Sequence, residues 1–478
     1  MAELLTRTTA PPEGAARGKS VARTRRVITV VTAGLLFLLT MARRPAREFH
    51  YDATSYWAGS KAGWEVLLHG GWATKATLTP MAAGRAGPTG AATLDTMFEF
   101  PLRLRGVLTY LVYAPAALVD RVLPGAGAVA VLAENALILA LAGAVLLPAI
   151  AWRLGARSPL VVCLCAALAW IAGAGFAPYP LMDLPAAAAF VCAVLFASAR
   201  SRWAIALTGL FAGVALNIRP AYLLPLAALA AASVAVHRLR ALWTLPGLTL
   251  ALLPQFALNL VLNYGWLPAP PLTALLARYQ AELGSYIVRY DTVLPGAPRL
   301  FYCDPLMASV SRGGPVRTLL AGLPWSPGFL AEKFSAALAW SGSTPYSAPA
   351  GVEDFGLLLP IAAVTVCGGT ALVAAAVRAR AGVPRGHAPT VVAAFLGAAA
   401  TLVTTTTEAR FALPVVLLGV AGCALLVPRA LGGDARMGRG WWLAAGTVTA
   451  LVVAFAVLGL RHPLSSEPTD PAACAALR

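Results

Sequence analysis

Charge is what this sequence lacks most. Only 12% of its 478 residues are Asp, Glu, Lys or Arg, against roughly a quarter in an ordinary soluble domain. With 59% hydrophobic residues and a mean hydropathy of +0.73, too few polar groups remain to cover a water-facing globule. A soluble fold is excluded and a polytopic membrane protein is implied. The seven cysteines stand singly except for Cys163-Leu164-Cys165, which lies inside an apolar run, and no CxxC pair or Cys/His cluster has zinc spacing. The intramembrane cysteines read as small apolar filler. No HExxH, Walker A, GxSxG or DxD motif stands where its chemistry would need it. The net charge of +17 does not point to nucleic acid, because no basic face on a soluble fold is evident.

What is present is a series of apolar runs near residues 27–42, 127–152, 160–177, 184–199, 203–218, 221–236, 241–264, 354–377, 389–404, 411–428 and 441–460. Residues 1–26, rich in Pro, Gly, Ala and Arg, read as a disordered cytoplasmic tail. The first run is retained as a helix, since no convincing signal-peptide cleavage site follows it. Two long polar regions interrupt the series, 43–126 and 265–352, and a short tail follows at 461–478. The excess of Gly, Pro and Arg over Lys suits a GC-rich bacterial genome.

Gly106–Val119 is apolar but short and interrupted by Pro115. Whether it crosses decides the side of everything after it. If it does not cross, the arginines at 153–157, 200–202, 238–240, 378–385 and 429–439 share the N-terminal side, while Arg219, Arg410 and Arg461 lie opposite. That distribution obeys the positive-inside rule and the alternative reverses it. Arg43 and Arg44, just outside the first run, stand against it. The expected fold is therefore all-α with about eleven transmembrane helices: helix one at 27–42, helices two to seven at 127–264 and helices eight to eleven at 353–460. The N-terminus is placed in the cytoplasm, with two large extracytoplasmic regions and an extracytoplasmic tail.

This topology gathers Asp52, Glu99, Asp183, Arg219, Glu408 and Arg410 on one face, although none of them entered the argument as a site residue. Asp52 sits among aromatic residues in His50-Tyr51-Asp52-Ala53-Thr54-Ser55-Tyr56-Trp57, which favour the interface. A carboxylate held there is able to take a proton from a hydroxyl; the plain alternative is a solvated loop acid. Asp183, just ahead of Leu184-Pro185, reads as a helix N-cap, which is compatible with a site role. Arg219 in Leu216-Asn217-Ile218-Arg219-Pro220 and Arg410 in Glu408-Ala409-Arg410-Phe411 are outer-face cations suited to a phosphate, with headgroup snorkelling or a local Glu408–Arg410 pair as the alternatives. Arg103 and Arg105 also fall within reach of a phosphate. Gln255 and Asn259, buried amides, serve either the site or the tying of helices.

Taken in order, Tyr51-Asp52-Ala53-Thr54-Ser55-Tyr56-Trp57, Arg105-Gly106, Met182-Asp183-Leu184-Pro185-Ala186, Asn217-Ile218-Arg219-Pro220, Pro254-Gln255 with Asn259, and Glu408-Ala409-Arg410-Phe411-Ala412-Leu413-Pro414 resemble the GT-C superfamily of polytopic glycosyltransferases. Protein O-mannosyltransferases, lipid A aminoarabinose transferases and actinobacterial polyprenyl-sugar transferases are the nearest in character. The resemblance implies a polyprenyl-phosphate-linked sugar as donor and a site at the extracytoplasmic face of the plasma membrane. It makes Asp52 the catalytic residue, Arg219, Arg410, Glu408, Arg103 and Arg105 the donor and phosphate ligands, and Asp183, Glu99, Tyr56, Gln255 and Asn259 their support. Many relatives carry an Asp-Glu pair where this chain has Asp52-Ala53. No cofactor is firmly implied and divalent-metal dependence stays open. The acceptor is a glycan, a lipid, a protein or a secreted natural product, and nothing implies nucleic acid.

The rival readings are a transporter or lipid flippase, which calls for mid-membrane charges and repeated halves, and a non-catalytic scaffold of the same shape. Glu134 is the main mid-span charge and no internal repeat is visible. Cys303 and Cys474 both fall on the oxidising side, where pairing is one option. The expected topology predicts that a reporter fused after Arg157 responds as cytoplasmic and one fused after Asp183 as external. The opposite pattern overturns the shared face.

Overall fold

The computed structural model describes residues 13–49, 52–68, 105–156, 158–197, 199, 201–261, 264–273, 286–289, 300–303, 334, 337–338, 357–380, 387–404, 409–426 and 446–454. Glu99, Arg103, Glu408 and Cys474 lie outside them.

The described chain is almost entirely helical, as an apolar chain in lipid must be, since a helix satisfies its own backbone groups. Helix α1 covers Glu13–Met41 and begins well before residue 27, because the Ala- and Arg-containing tail has good helix propensity and simply extends the span. Next come α2 (Asp52–Leu68), α3 (Leu108–Leu111) and α4 (Ala114–Val122). Helix α5 (Gly127–Leu141) runs through a π-turn at Ala142–Leu146 into α6 (Leu147–Arg153). The π-turn lies just ahead of Pro148, whose missing N–H and ring bulk disturb the regular ladder. Then follow α7 (Leu160–Gly173), α8 (Asp183–Ala197), α9 (Arg202–Ile218), α10 (Leu223–His237), α11 (Thr244–Val261), α12 (Leu358–Arg380), α13 (Ala388–Thr404) and α14 (Ala409–Cys423).

Four stretches among the described residues are long and apolar enough to cross a bilayer: Arg23–Met41, Gly127–Arg153, Pro220–Leu260 and Leu358–Val377. Shorter apolar helices accompany them, of which α8 and α14 are buried along almost their whole length. The 41-residue stretch Pro220–Leu260 is broken at Arg238, where φ is 54°, so α10 and α11 are separate helices. Helices α3 and α4, of four and nine residues, reach only about 6 and 13 Å against a hydrocarbon core of ~30 Å. Both pack on α2. Gly127, which opens α5, abuts Trp57 of α2 and Asp120 of α4, so α2, α3, α4 and the start of α5 share one end of the bundle.

The all-α expectation needs one amendment. Strands β1 (Tyr286–Arg289) and β2 (Leu300–Cys303) pair antiparallel, with Tyr286 opposite Cys303 and Arg289 opposite Leu300. Their β-branched and aromatic residues suit a pleated surface, but four-residue runs leave little pattern to read.

Lipid supplies no hydrophobic drive between helices, so close backbone approach through small residues holds them together. Helices α9 and α11 run parallel and in contact along Gly209, Gly213 and Gly247. A Cβ on Gly209 would overlap the Thr244 carbonyl, and one on Gly247 the Ala206 carbonyl. Gly368 of α12 meets Gly419 and Gly422 of α14 in the same way. Because α9 and α11 each deliver a buried amide to the same end of the bundle, Gly209→Leu is expected to separate that end. The measurable result is a lower unfolding temperature in detergent, whereas Gly34→Leu on the open face of α1, where a Cβ meets nothing, leaves it unchanged.

Candidate active site

The end of the bundle shared by α2, α3 and α4 is also where α8 begins, α9 ends and α14 begins. Each of these three helices brings a charged residue there. Asp183 is the first residue of α8, so it occupies the first turn rather than the cap proper, a position where a carboxylate meets the positive end of the helix dipole. It pairs with Arg219, the residue that closes α9, and both are 2% exposed. Two charges taken out of water this far are tolerable only when they meet.

Phe411 lies directly above. The Arg219 guanidinium is 4.6 Å from its ring centroid and that of Arg410 is 5.6 Å away, so one ring serves both cations. Arg410, in the first turn of α14, crosses to α2, donating from Nη1 to Asp52 Oδ2 at 2.7 Å. Asp52 opens α2. Its side chain keeps 37% of its surface while Arg410, Arg105 and Arg219 all stand close enough to act on it.

Arg105 completes the cluster, and it arrives there by a polar clamp. The turn after it cannot satisfy its own N–H groups, and α9 and α11 do so. Gly106 N donates to the Asn217 carbonyl at 3.1 Å, Val107 N to Gln255 Oε1 at 2.8 Å and Leu108 N to Asn217 Oδ1 at 2.9 Å. Only glycine fits at 106, since a Cβ would strike Asn217. Gln255 Nε2 in turn donates to Asn259 Oδ1 at 2.8 Å, and Asn259 Nδ2 donates to the carbonyls of Leu267 and Ala269 at 2.6 and 2.7 Å. Gln255 and Asn259 therefore act by fixing loops.

The electrostatics follow from the count. Burial raises the pKa of the Asp52 carboxyl, but Arg410, then Arg105 and Arg219, outweigh it and hold the group below the usual carboxylate range. Burial opposes the charge on Arg105, and the Tyr56 hydroxyl and the Asp52 carboxylate more than offset that. Burial, then repulsion from Arg410 and Arg105, presses the Arg219 guanidinium down to about 10, which leaves it protonated at neutral pH. Three guanidinium groups thus face two carboxylates, and among the described residues Arg105 makes no salt bridge. Among the described residues the surplus is positive. The Arg219 Nε–H is buried without a hydrogen-bond partner among the described residues. Beside it, between Arg219, Arg410, Tyr222, Thr401 and Pro414, lies a cavity of about 10 Å³, space for one water or one ligand oxygen.

The structure thus brings together Asp52, Tyr56, Arg105, Asp183, Arg219 and Arg410, with Gln255 and Asn259 beneath. Arg410 is engaged with Asp52, while Glu408, its expected local partner, lies outside the described residues. Sequence reasoning gave no site role to Asn217 and Phe411, although both stand inside the quoted motifs; an asparagine one turn from a helix end and an aromatic after an arginine were the available signals. It also passed over Tyr113, fully buried, whose hydroxyl lies 2.9 Å from Asn135 Oδ1 and 2.8 Å from the Leu181 carbonyl and ties α4 to α5 and to the turn before Asp183. No group of His, Cys, Asp and Glu suited to a metal occurs among the described residues. Compared with protein families, curated proteins and solved structures, the chain finds no match in any of the three.

Removing one member of a buried pair strands the other. Arg219→Ala and Asp183→Ala are each expected to cost about 3–5 kcal/mol. Asp183→Leu combined with Arg219→Met should recover much of that loss in stability without restoring any function of the charges. Unfolding midpoints of the two single variants and the double variant in detergent check this.

Proposed function

We propose that this chain is a membrane glycosyltransferase that moves a sugar from a polyprenyl-phosphate donor to an acceptor hydroxyl at the extracytoplasmic face. One observation carries the reading. An accessible carboxylate, Asp52, stands at the end of a helical bundle within a cluster of three arginines whose charge its carboxylates do not fully balance. A base and an anion site side by side are what displacement from a sugar phosphate requires. The arrangement belongs to a chain of eleven spans with its N-terminus in the cytoplasm and this end outside.

The chemistry is a single displacement. Asp52 takes the proton from the acceptor hydroxyl as that oxygen attacks the anomeric carbon, the carbon–oxygen bond to phosphate breaks, and polyprenyl phosphate leaves with the electron pair. The anomeric centre inverts. Positioned general-base catalysis supplies about 10²–10⁴-fold, and fixed cations stabilise the charge that grows on the phosphate. Arg105 is the cation in surplus. Arg410 is shared: without donor it neutralises Asp52, and a phosphate arriving beside it draws the guanidinium away, which makes Asp52 a stronger base only when donor is in place. Arg219, neutralised by Asp183 and capped by Phe411, shapes the pocket from beneath and offers its Nε–H. These steps call on no cofactor that the sequence firmly implies, divalent-metal dependence stays open, and the acceptor class stays as broad as the sequence left it.

The transporter reading rests on Glu134, whose Oε2 is buried without a partner among the described residues. Glu134 lies only two turns into α5, close to Ala116 of α4, which puts it near the site end rather than at the midplane where a transport site is expected.

Asp52→Asn is expected to lower kcat at least 100-fold in a polyprenyl-sugar transfer assay, with little change in donor binding, because the amide keeps the shape and cannot take the proton. Turnover within a few-fold of the native chain overturns the assignment. The active carboxylate form exists above its pKa and is lost as pH falls. Because that pKa is depressed in the free protein, the acid limb of kcat/KM should lie below the usual aspartate range, and the limb of kcat, which reports the donor complex, should lie higher.

A further inference from the structure

Helices α9 and α10 follow one another through Arg219 and the 3-10 turn Pro220–Tyr222, yet they hardly touch along their lengths. Helix α9 packs on α8 and α11, and α10 packs on α13. Between them lies a cavity of about 660 Å³, well within the range of ligand sites. Its walls are apolar, with Ala212, Leu216, Leu229, Ala230 and Leu248 among them. It runs from Leu226 near the Asp52 end to Arg238 at the opposite end, about 18 Å by the helical rise.

The far end of this cavity is not apolar. Ser233 is 2% exposed, lines the wall, and its Oγ has no hydrogen-bond partner among the described residues. Arg238 lines the mouth, at the start of the 3-10 turn Arg238–Trp243. Arg240 belongs to the same turn, and Arg202, at the start of α9, lies 5.7 Å from the Trp243 ring centroid. Exposed beside them are Trp203 (83%), Leu239 (82%), Leu242 and Trp243, the mixture of aromatic, apolar and basic side chains that sits at a membrane interface. No acid occurs in the sequence between Asp183 and Glu282, so nothing local neutralises these arginines.

We propose that this cavity holds an acyl chain of an anionic glycerophospholipid from the leaflet opposite Asp52, with the lipid phosphate at Arg238 and an ester carbonyl accepting from Ser233 Oγ. The two polar groups are spaced for it. Ser233 is five residues before Arg238, about 7 Å deeper along the helix, and ester carbonyls lie just that side of the phosphate in a glycerophospholipid. Each half of the cavity rejects a simpler ligand. A free phosphate leaves the apolar length empty, and a zwitterionic lipid brings its own cation to a mouth already lined by arginine. Basic pockets between transmembrane helices are the usual form of an anionic-lipid site. The site is independent of the chemistry at Asp52 and stands at the other end of the bundle.

The test is thermal unfolding of the purified full chain in neutral detergent with added phosphatidylglycerol, phosphatidylcholine or polyprenyl phosphate. A ligand that binds only the folded state raises Tm in a concentration-dependent way. Phosphatidylglycerol is expected to raise Tm by several degrees and saturably, and phosphatidylcholine to leave it unchanged. Arg238→Gln and the cavity-filling Ala230→Phe should lose most of that shift, and Arg238→Lys should keep it. Lys retains the charge at this backbone position, so its behaviour separates loss of the phosphate contact from damage to the turn. Equal shifts with phosphatidylglycerol and phosphatidylcholine overturn the proposal, as does a full shift surviving in both Arg238→Gln and Ala230→Phe. An Arg238-dependent shift produced by polyprenyl phosphate and not by phosphatidylglycerol overturns it as well, and gives the cavity to the donor lipid.

Discussion

The contact between Arg219 and Asp183 sets the geometry of the whole Asp52 end of the bundle. Each residue is almost completely buried, and an isolated charge at that depth costs several kcal/mol, so the end of α9 and the start of α8 have no freedom to part. Everything above them is stacked on that fixed point. Phe411 lies on Arg219, Arg410 approaches the same ring, and Asp52 pairs with Arg410. Each of these two cations has a carboxylate partner and shares the Phe411 ring with the other, which is how four charges coexist at one end of an apolar protein.

The second constraint is backbone satisfaction. A turn lying on apolar helices finds no water to bond its N–H groups, and Asn217 and Gln255 provide acceptors from the side. That duty also explains the glycines between α9 and α11. The two amides reach the same turn only if their helices run parallel and close, and Gly209, Gly213 and Gly247 remove the side chains that would keep them apart. Backbone packing between α9 and α11 thus positions Arg105 at the Asp52 end of the bundle.

The two ends of the bundle use arginine differently. At the Asp52 end Arg219 and Arg410 are held against carboxylates and an aromatic ring, so their charge is fixed in direction. At the Arg238 end the arginines are exposed among tryptophans and leucines with no acid in the neighbouring sequence, so their charge is left for a ligand or headgroup to meet. The depressed pKa of Asp52 and the surplus on Arg105 come from the first arrangement.

The sequence by itself determined that the chain lives in a membrane, since 12% charged residues cannot coat a soluble fold. It also marked where most of the apolar helices lie, because a run of apolar residues in lipid has no alternative to a helix. It singled out Asp52, Asp183, Arg219 and Arg410, because charges are rare enough here that each must be accounted for. Which charges pair was decided by the tertiary structure. Asp52 and Arg410 are 358 positions apart, and nothing local in either segment distinguishes that partner from Glu408 or a lipid phosphate. The roles of Asn217, Gln255 and Phe411 were equally hidden, since an amide or a ring acquires its partner only when a distant turn or cation is folded against it. The cavity between α9 and α10 has no sequence signature either: its leucines and alanines match those of packed helices, and only the separation of two consecutive helices in space leaves it open.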